Sequence, residues 1–571
     1  MKEHKKIIVV GGVAGGASVA ARARRLDEDA EITMFEKGPD VSFSNCSLPY
    51  YLGNVIKDVN KVLVMSAEDL RNQDAIDVQP NSEVVDIDPD EQVVTVKRVL
   101  TGKLEKFDYD YLFLSPGANP ILPKNIKGID RDNVFTLRNV VDVKKIHNYL
   151  TTNKISDVAV IGGGFIGLEV AENLRNRGYN ISLIEAADHI LGTLDEEMAQ
   201  IVQKQLYDHK VNLVLNDGLS EIKDDKIILG SGKSVKAQAV IMAIGVSPDV
   251  KLAEKIGIKL GITGAIKVDE HYETNVKNIY AVGDAIEVTN ALTHKPTRLA
   301  LAWPAQMEAR RAADHIYGRQ INASGVYGCS SIHVFDTNVA SVGLTEEKCN
   351  QEGIPYDTIT VVVPYKVGIM PDNADITIKI IFSKPEGILL GGQAIGNAGV
   401  DRYIDVLVTM MKYHGTVYDL ANQELCYSPW FSTAKNGLNM AGLAATNLLN
   451  GEYKHVSVKD VRKLSEQDAF IIDCRERFEY EEHGHLKKSV NIPLSEFRDR
   501  LDEIPHDKPV YIHCLSGQRS YFMVRALENL GYDQVYNIDG SYLGICQYEY
   551  FRDQTENRSP IVTKYRFELL H

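Results

Sequence analysis

Residues 6–10 form an unbroken apolar run behind a basic lead, the pattern of a strand buried on both faces of a parallel sheet. Gly11-Gly12-Val13-Ala14-Gly15-Gly16 follows, and then ASVAARARRL, whose apolar positions recur at helical spacing. EITMFEK reads as the next strand, with Glu36 near its end. The order then repeats. Residues 158–161 are a strand, Gly162-Gly163-Gly164-Phe165-Ile166-Gly167 a turn, LEVAENLRNRG a helix and ISLIE a strand ending on Glu185. Three more apolar runs end in glycine turns: YLFLSPGANP (111–120), VIMAIGVSPD (240–249) and IYAVGDA (279–285). From about residue 325 to 445 the strands SIHVFDT, ITIKIIF and ILLGGQAIG alternate with helical stretches such as AGVDRYIDVLVTMMKYHG. From about residue 453 a compact α/β pattern of about 100 residues begins, an ordinary domain size.

A chain of 571 residues accommodates several such domains. Its net charge of −15 and pI of about 5.5 argue against general nucleic-acid binding. Seven cysteines, odd in number and widely spaced, make neither a disulfide framework nor a metal knuckle, so no metal set is read and a reducing, cytoplasmic setting is expected. The chain runs straight into a strand without a signal segment, and no apolar run reaches the roughly 18 residues of a membrane span.

Strand, glycine turn, helix, strand and acid is the order of a dinucleotide site. Gly11 makes the tight turn, Gly12 and Gly15 line the loop, Gly16 lets helix and strand approach, and the helix N-terminus faces a diphosphate. Glu36, 20 residues past Gly16, can accept from a ribose hydroxyl. Val13 stands where the fingerprint has its middle glycine. The second copy fits fully through Gly162, Gly164 and Gly167, and Glu185 lies 21 residues after Gly164. A carboxylate there favours NADH, because it repels the 2′-phosphate of NADPH. Two copies imply two dinucleotides. Asp284 stands at a strand end as a ribityl-hydroxyl acceptor would. SFSNCSLPYYL (42–52) reads as a loop entering a short helix, where unpaired N–H groups would favour a thiolate on Cys46.

With SPGANP, which includes Gly117, and YAVGDA, these motifs resemble the pyridine nucleotide-disulfide oxidoreductases over about the first 445 residues. SFSNCSLPYY and GGVAGGASVAARARRL are most similar to the single-cysteine coenzyme A-disulfide and CoA-persulfide reductases. The resemblance implies an α/β fold with two Rossmann-like domains, an α+β dimerisation domain, FAD, NADH and a homodimer. It implies FAD binding over 1–120 and 245–324, NADH binding over 121–244 and dimerisation over 325–445. It places Arg22, Arg25, Ser42, Asn45 and Arg71 on CoA, and Tyr427 near the reacting sulfur. NADH oxidases and peroxidases of the group carry a histidine where this chain has Ala14. Two positions depart from the group: Ile369-Met370-Pro371-Asp372 replaces a Tyr-Tyr-Pro-Gly segment, and Trp430 replaces a proline.

After a linker over 446–455, residues 456–550 resemble a rhodanese domain through Asp473, Arg475, Gly484, His485 and Asn491-Ile492-Pro493. VYIHC delivers Cys514 into Cys514-Leu515-Ser516-Gly517-Gln518-Arg519, and Ser520 opens a helix. Successive N–H groups there can nest an anion on Cys514, and Arg519 adds positive charge. Residues 551–571 extend past the domain, with VTKYRFELL as a candidate strand.

The resulting expectation is an NADH-dependent flavoenzyme that reduces a CoA-linked persulfide, polysulfide or disulfide at Cys46, with sulfane sulfur carried on Cys514 from a donor. The alternative is an NADH oxidase or peroxidase whose rhodanese domain only docks or senses.

Overall fold

The computed structural model describes residues 4–320 and 324–568; residues 1–3, 321–323 and 569–571 of the expected domains lie outside the described residues. The chain is a mixed α/β protein of two compact units. One comprises the residues up to Ala186 together with Asp217–Tyr327, the other Ala187–Asn216 together with the residues from Gly328 onward.

In the first unit Lys6–Val10 pairs in parallel with Glu31–Phe35 and Tyr111–Leu114, and Asp77–Gln79 and Ile279–Ala281 complete the five-stranded sheet. Ile7, Ile8 and Val9 are all buried, so successive side chains on both faces are apolar and no alternation shows in the sequence. The helix Ala14–Leu26 packs on Ala302–Ile316, where buried Ala20 and Ala23 meet a helix whose Ala305, Ala309 and Ala312 are also buried. The second glycine segment builds a parallel array in the order Asn180–Ile184, Asp157–Ile161, Ala239–Met242, Val134–Thr136.

In the second unit an antiparallel sheet runs Ser330–Val334, Thr337–Gly343, Leu389–Gly396, Asp375–Ser383, Tyr356–Pro364. A parallel sheet runs Lys454–Val456, Val535–Ile538, Val510–His513, Phe470–Asp473, Val490–Asn491. The helix Glu196–Asp208, expected within 121–244, belongs to this unit and packs on Ser541–Thr555. Ionic contacts explain its place. Lys379, fully buried, has its Nζ 2.8 Å from Asp195 and 2.5 Å from Glu346, and it also bonds Glu197. A buried ammonium needs such partners, and this one occupies the space between the three acids.

Residues 446–455, expected as a linker, hold the end of the helix Gly437–Leu449 and the start of the strand Lys454–Val456. His455 sits between two acids: Nδ1 is 2.7 Å from Asp539 and Nε2 is 3.1 Å from Asp357. Burial opposes the imidazolium, but Asp539 and Asp357 outweigh it and push its pKa up to about 10. The raised value fixes the sign. The bridge contributes fully below the unfolded-state pKa of about 6.5 and is lost as pH rises through about 10. We therefore expect the unfolding stability of this unit to fall across that alkaline window, and His455→Gln to flatten the fall. Denaturant unfolding at a series of pH values checks this, and equal slopes for the two proteins would refute it.

The helix Ser541–Thr555 takes up the start of the expected extension. Beyond it the chain lies along the rhodanese-like sheet unit and forms no strand among the described residues, only an isolated bridge between Val562 and Leu486. The Lys564 carbonyl accepts from the Tyr542 hydroxyl at 2.6 Å, and Arg558 pairs with buried Glu549 and Asp553. These backbone and ionic contacts tie the segment down without a ladder.

Candidate active site

Two cradles are built alike. Gly11 and Gly162 both have positive φ (100° and 108°), where a side chain would meet the Ser115 or Ala243 carbonyl oxygen at 2.1 or 2.4 Å. Gly16 and Gly167 touch the carbonyls of Gly11 and Gly162 closely enough that a Cβ would sit 1.8 or 1.9 Å away. The helices Ala14–Leu26 and Phe165–Asn176 start without a side-chain cap and without an acid in the first turn. Their leading N–H groups therefore remain for an anion. Nothing lies within 4 Å of a Cβ built on Gly164, which leaves space over that loop. Each partner acid stands at its loop: Gly12 N–H donates to Glu36 at 2.9 Å, and Gly163 N–H donates to Glu185 at 2.6 Å. Gly15 packs against Ser115, and Gly117 (φ 71°) lies beside Arg138.

Cys46 occupies the 3-10 turn Asn45–Ser47, ahead of the short helix Leu48–Leu52. It reaches solvent and is a free thiol. Asn45 donates to the Arg138 carbonyl at 3.2 Å, and Ser42, at φ 47°, donates its N–H to the Gly12 carbonyl at 2.8 Å. The cysteine loop is thus stitched to the first cradle. The expected lowering of the thiol pKa is corrected by its surroundings. Protein packed behind the sulfur, then the carboxylates of Glu169 and Asp284, push it up, and the local backbone hydrogen bond does not compensate. Glu169, on the helix Phe165–Asn176, is itself pushed up to about 7 by burial and then by Glu172, and it pairs with Tyr50. Asp284 is raised by burial, with Arg138 opposing.

The arginines expected on one face separate. Arg22 donates to Asp314 at 2.8 Å, whereas Arg25 is exposed. Arg71, on the helix Ala67–Asp74, bonds the Val78 carbonyl. In the second unit Tyr427 (54% exposed), Trp430 and Phe431 form an exposed aromatic run, and Ile369 is also exposed.

Cys514 follows the strand Val510–His513 and is 1% exposed. Gly517, at φ 113°, caps the helix Gln518–Asn529, so the helix opens two residues before Ser520. Gly517 N–H donates to the Cys514 sulfur at 3.1 Å, and the Ser520 and Ser541 hydroxyls lie 3.7 and 3.9 Å from it. Burial works against the thiolate. The Cys474 thiol and the N–H groups of Ser520 and Gly517 outweigh it and bring the Cys514 pKa well below the ordinary thiol range. Arg519 is bidentate on Glu479 at 2.6 and 2.8 Å, so much of its charge is already matched. Behind the loop, fully buried Arg475 spans Asp473 at 2.6 Å and the Gly484 carbonyl at 2.6 Å, and the Asn491 amide donates to the backbone carbonyls of Asp473 and Arg475, each at 2.9 Å. His485 stacks on Tyr480 with centroids 3.8 Å apart.

Residues 5–309 match the family described as Pyridine nucleotide-disulphide oxidoreductase, residues 329–437 its dimerisation domain and residues 457–548 the Rhodanese-like domain. A curated Coenzyme A disulfide reductase of Staphylococcus haemolyticus is 35% identical over 445 residues, covering 78% of this chain and 100% of the relative. The structure of reduced Bacillus anthracis CoADR-RHD is similar at TM-score 0.92 with 42% identity, covering 97% of this chain and 99% of that one. A NAD-dependent persulfide reductase from A. fulgidus is similar at TM-score 0.89 with 33% identity, covering 95% and 99%. The two matched cradles, the thiol beside the first of them and the sulfur-holding loop after residue 510 therefore have a common explanation: the chain belongs to the pyridine nucleotide-disulfide oxidoreductase family and is an oxidoreductase of that family with a C-terminal rhodanese domain.

Proposed function

We propose that this protein reduces a CoA-linked persulfide, polysulfide or disulfide with NADH at Cys46, and that Cys514 carries sulfane sulfur as a persulfide. The observation that carries the reading is that Cys46 is the one cysteine before residue 329. A solvent-reaching thiol without a partner in its unit must make its disulfide with a ligand. The names of the Staphylococcus and A. fulgidus relatives support the two substrate classes.

The cradles fit the FAD and nicotinamide nucleotide that the family implies. Uncapped helix starts, glycines that a Cβ would jam, and Glu36 and Glu185 at the strand ends are the donor and acceptor set for two diphosphates and two riboses. Asp284 stands ready for a polyol hydroxyl. Glu169, pushed up to about 7 by burial and then by Glu172, opposes the Cys46 thiolate when it is ionised. The Cys46 thiolate attacks the CoA-bound sulfur, expels hydrosulfide from a persulfide or CoA from a disulfide, and is left joined to CoA as a mixed disulfide. A flavin held at the first cradle, with a nicotinamide nucleotide at the second, would supply the electron pair that cleaves this disulfide. Exposed Arg25, with Ser42, Asn45 and Arg71, would hold the CoA; Arg22 would have to exchange Asp314 for it. Exposed Tyr427 and Trp430 fit an assembly surface, and a homodimer would bring Tyr427 to the reacting sulfur. Among the described residues no helix is long and apolar enough to cross a membrane.

The test is anaerobic steady-state oxidation of NADH and of NADPH against CoA persulfide, CoA disulfide, polysulfide and, separately, oxygen. Hydrosulfide is small and leaves readily, whereas a CoA thiolate benefits more from the hydrogen bond lost where Ile369 and Met370 replace tyrosine. We expect kcat/KM for the persulfide to exceed that for the disulfide by at least ~10-fold, about 1.4 kcal/mol. NADH should outperform NADPH, and NAD+ should outbind NADP+ in direct titration. Comparable persulfide and disulfide efficiencies would make the disulfide the substrate class. Oxygen consumption as the fastest reaction would favour the oxidase reading.

A further inference from the structure

Beside the sulfur-holding loop, at the end of a neighbouring strand, lies a second thiol that the proposed transfer does not use. Strand Phe470–Asp473 pairs in parallel with Val510–His513, with Asp473 opposite His513. The next residue on each strand is a cysteine, and Cys474 N–H donates to the His513 carbonyl at 2.9 Å, so the register continues through the pair. Asp473 and His513 face each other, with Oδ2 and Nε2 3.7 Å apart, so Cys474 and Cys514 share the opposite face. Neighbouring strands lie about 4.8 Å apart, inside the Cα separation of about 4.4–6.8 Å that a disulfide requires. Both side chains are buried, at 0% and 1% exposure, and the Cys474 thiol is among the neighbours that favour the thiolate on Cys514. The cradle of Gly517 and Ser520 holds the same sulfur from the loop.

The geometry points to Cys474 as a resolving thiol that turns the rhodanese domain into a hydrosulfide-releasing reductase of sulfane sulfur. Cys474 attacks the Cys514 sulfur of the persulfide. The Cys474–Cys514 bond forms and the bond from Cys514 to the outer sulfur breaks. The outer sulfur leaves with the electron pair and takes the Cys474 proton, departing as hydrosulfide. The two cysteine sulfurs are oxidised together by two electrons and the outer sulfur is reduced by two. A small thiol resets the pair: one molecule attacks Cys514 and frees Cys474, and a second displaces the first, leaving as its own disulfide. If that thiol is CoA, the product is the disulfide that the Cys46 site is proposed to reduce; this link and the persulfide on Cys514 both rest on the preceding section.

The experiment uses the full chain, reduced, freed of small thiols and exposed to thiosulfate or inorganic polysulfide. Hydrosulfide release is measured, and peptides carrying Cys474 and Cys514 are mapped by mass after alkylation without reductant. The expected result is one hydrosulfide per chain and the two peptides joined, with the mass of two hydrogens lost. Cys474→Ala and Cys474→Ser should both keep the extra sulfur on Cys514 and lose the hydrosulfide burst until a thiol is added. Mapping of the unmodified protein alone decides the matter should either variant fold poorly. A persulfide on wild-type Cys514 that persists beside an unlinked Cys474 overturns this inference and leaves the sulfur-carrier reading intact. No sulfur on Cys514 in any of the proteins overturns both.

Discussion

Cys46→Ser stops reduction of every sulfur substrate, with kcat lowered on the order of a thousandfold or more, because the attacking atom and the mixed disulfide both disappear. The two cradles and Asp284 are untouched, so reduction of bound flavin by NADH in the absence of a sulfur substrate should continue at the wild-type rate. That half-reaction, followed by the bleaching of the flavin band, separates loss of the nucleophile from loss of the fold. Sulfide release near the wild-type rate in the serine variant would sink the assignment. The site's electrostatics add a pH signature. Burial and the carboxylates of Glu169 and Asp284 hold the thiol above its ordinary range in the free protein. Alkylation of Cys46 should therefore be slow at neutral pH and accelerate as pH rises through and beyond the ordinary thiol pKa. Glu169→Gln removes a negative neighbour, so the same curve should move to lower pH. A shift upward would show that Glu169 acts on the thiol by another route.

Cys514→Ser removes sulfur transfer from thiosulfate to an acceptor, again to background. Gly517, Ser520 and Ser541 then hold a hydroxyl with no persulfide chemistry. Turnover of a small soluble CoA substrate at Cys46 should be spared, since Cys46 and both glycine cradles belong to the first unit and Cys514 to the second. Measuring both activities on one preparation gives the test: their joint disappearance in a folded protein would mean that the sites operate only in sequence.

Much of the architecture was legible in the residues because it is local. A glycine turn, its helix and the acid after the next strand lie within one stretch of chain, and their spacing carries the geometry of both cradles. The sulfur loop was legible for the same reason. What escaped depends on groups brought together from far away. Arg22 reads as free on its helix, yet its partner Asp314 is 292 residues distant. Arg519 reads as a counter-charge for Cys514, yet Glu479 claims its guanidinium from another helix. Glu169 carries no local mark beyond being an early acid on the second cradle's helix, and its closeness to Cys46 comes from folding. Helix Glu196–Asp208 lies within the second nucleotide-binding stretch of the sequence, but its acids are needed around Lys379. Nothing in the sequence around Cys474 marks it; only the register that sets Asp473 opposite His513 makes it a neighbour of Cys514. Helix-start reasoning for Cys46 erred because it counted the N–H groups and left out the burial of the sulfur and then the two carboxylates.

The clamp at His455 bears on how such chains can be cut and recombined. A fragment begun after residue 456 would discard the imidazolium and leave Asp539 buried without its counter-ion, while Gln547 would lose the Thr377 hydroxyl that it donates to at 2.9 Å. A recombinant rhodanese piece taken from this protein should therefore begin no later than Lys454, to keep His455 with Asp539, and carry a compensating substitution at Gln547. For the same reason, a gene fusion that grafts a foreign rhodanese behind residue 449 would leave Asp357 with Lys384 alone, in place of the pair Lys384 and His455. Exchange of this module between lineages is constrained at the junction by the imidazolium of His455 and the amide of Gln547.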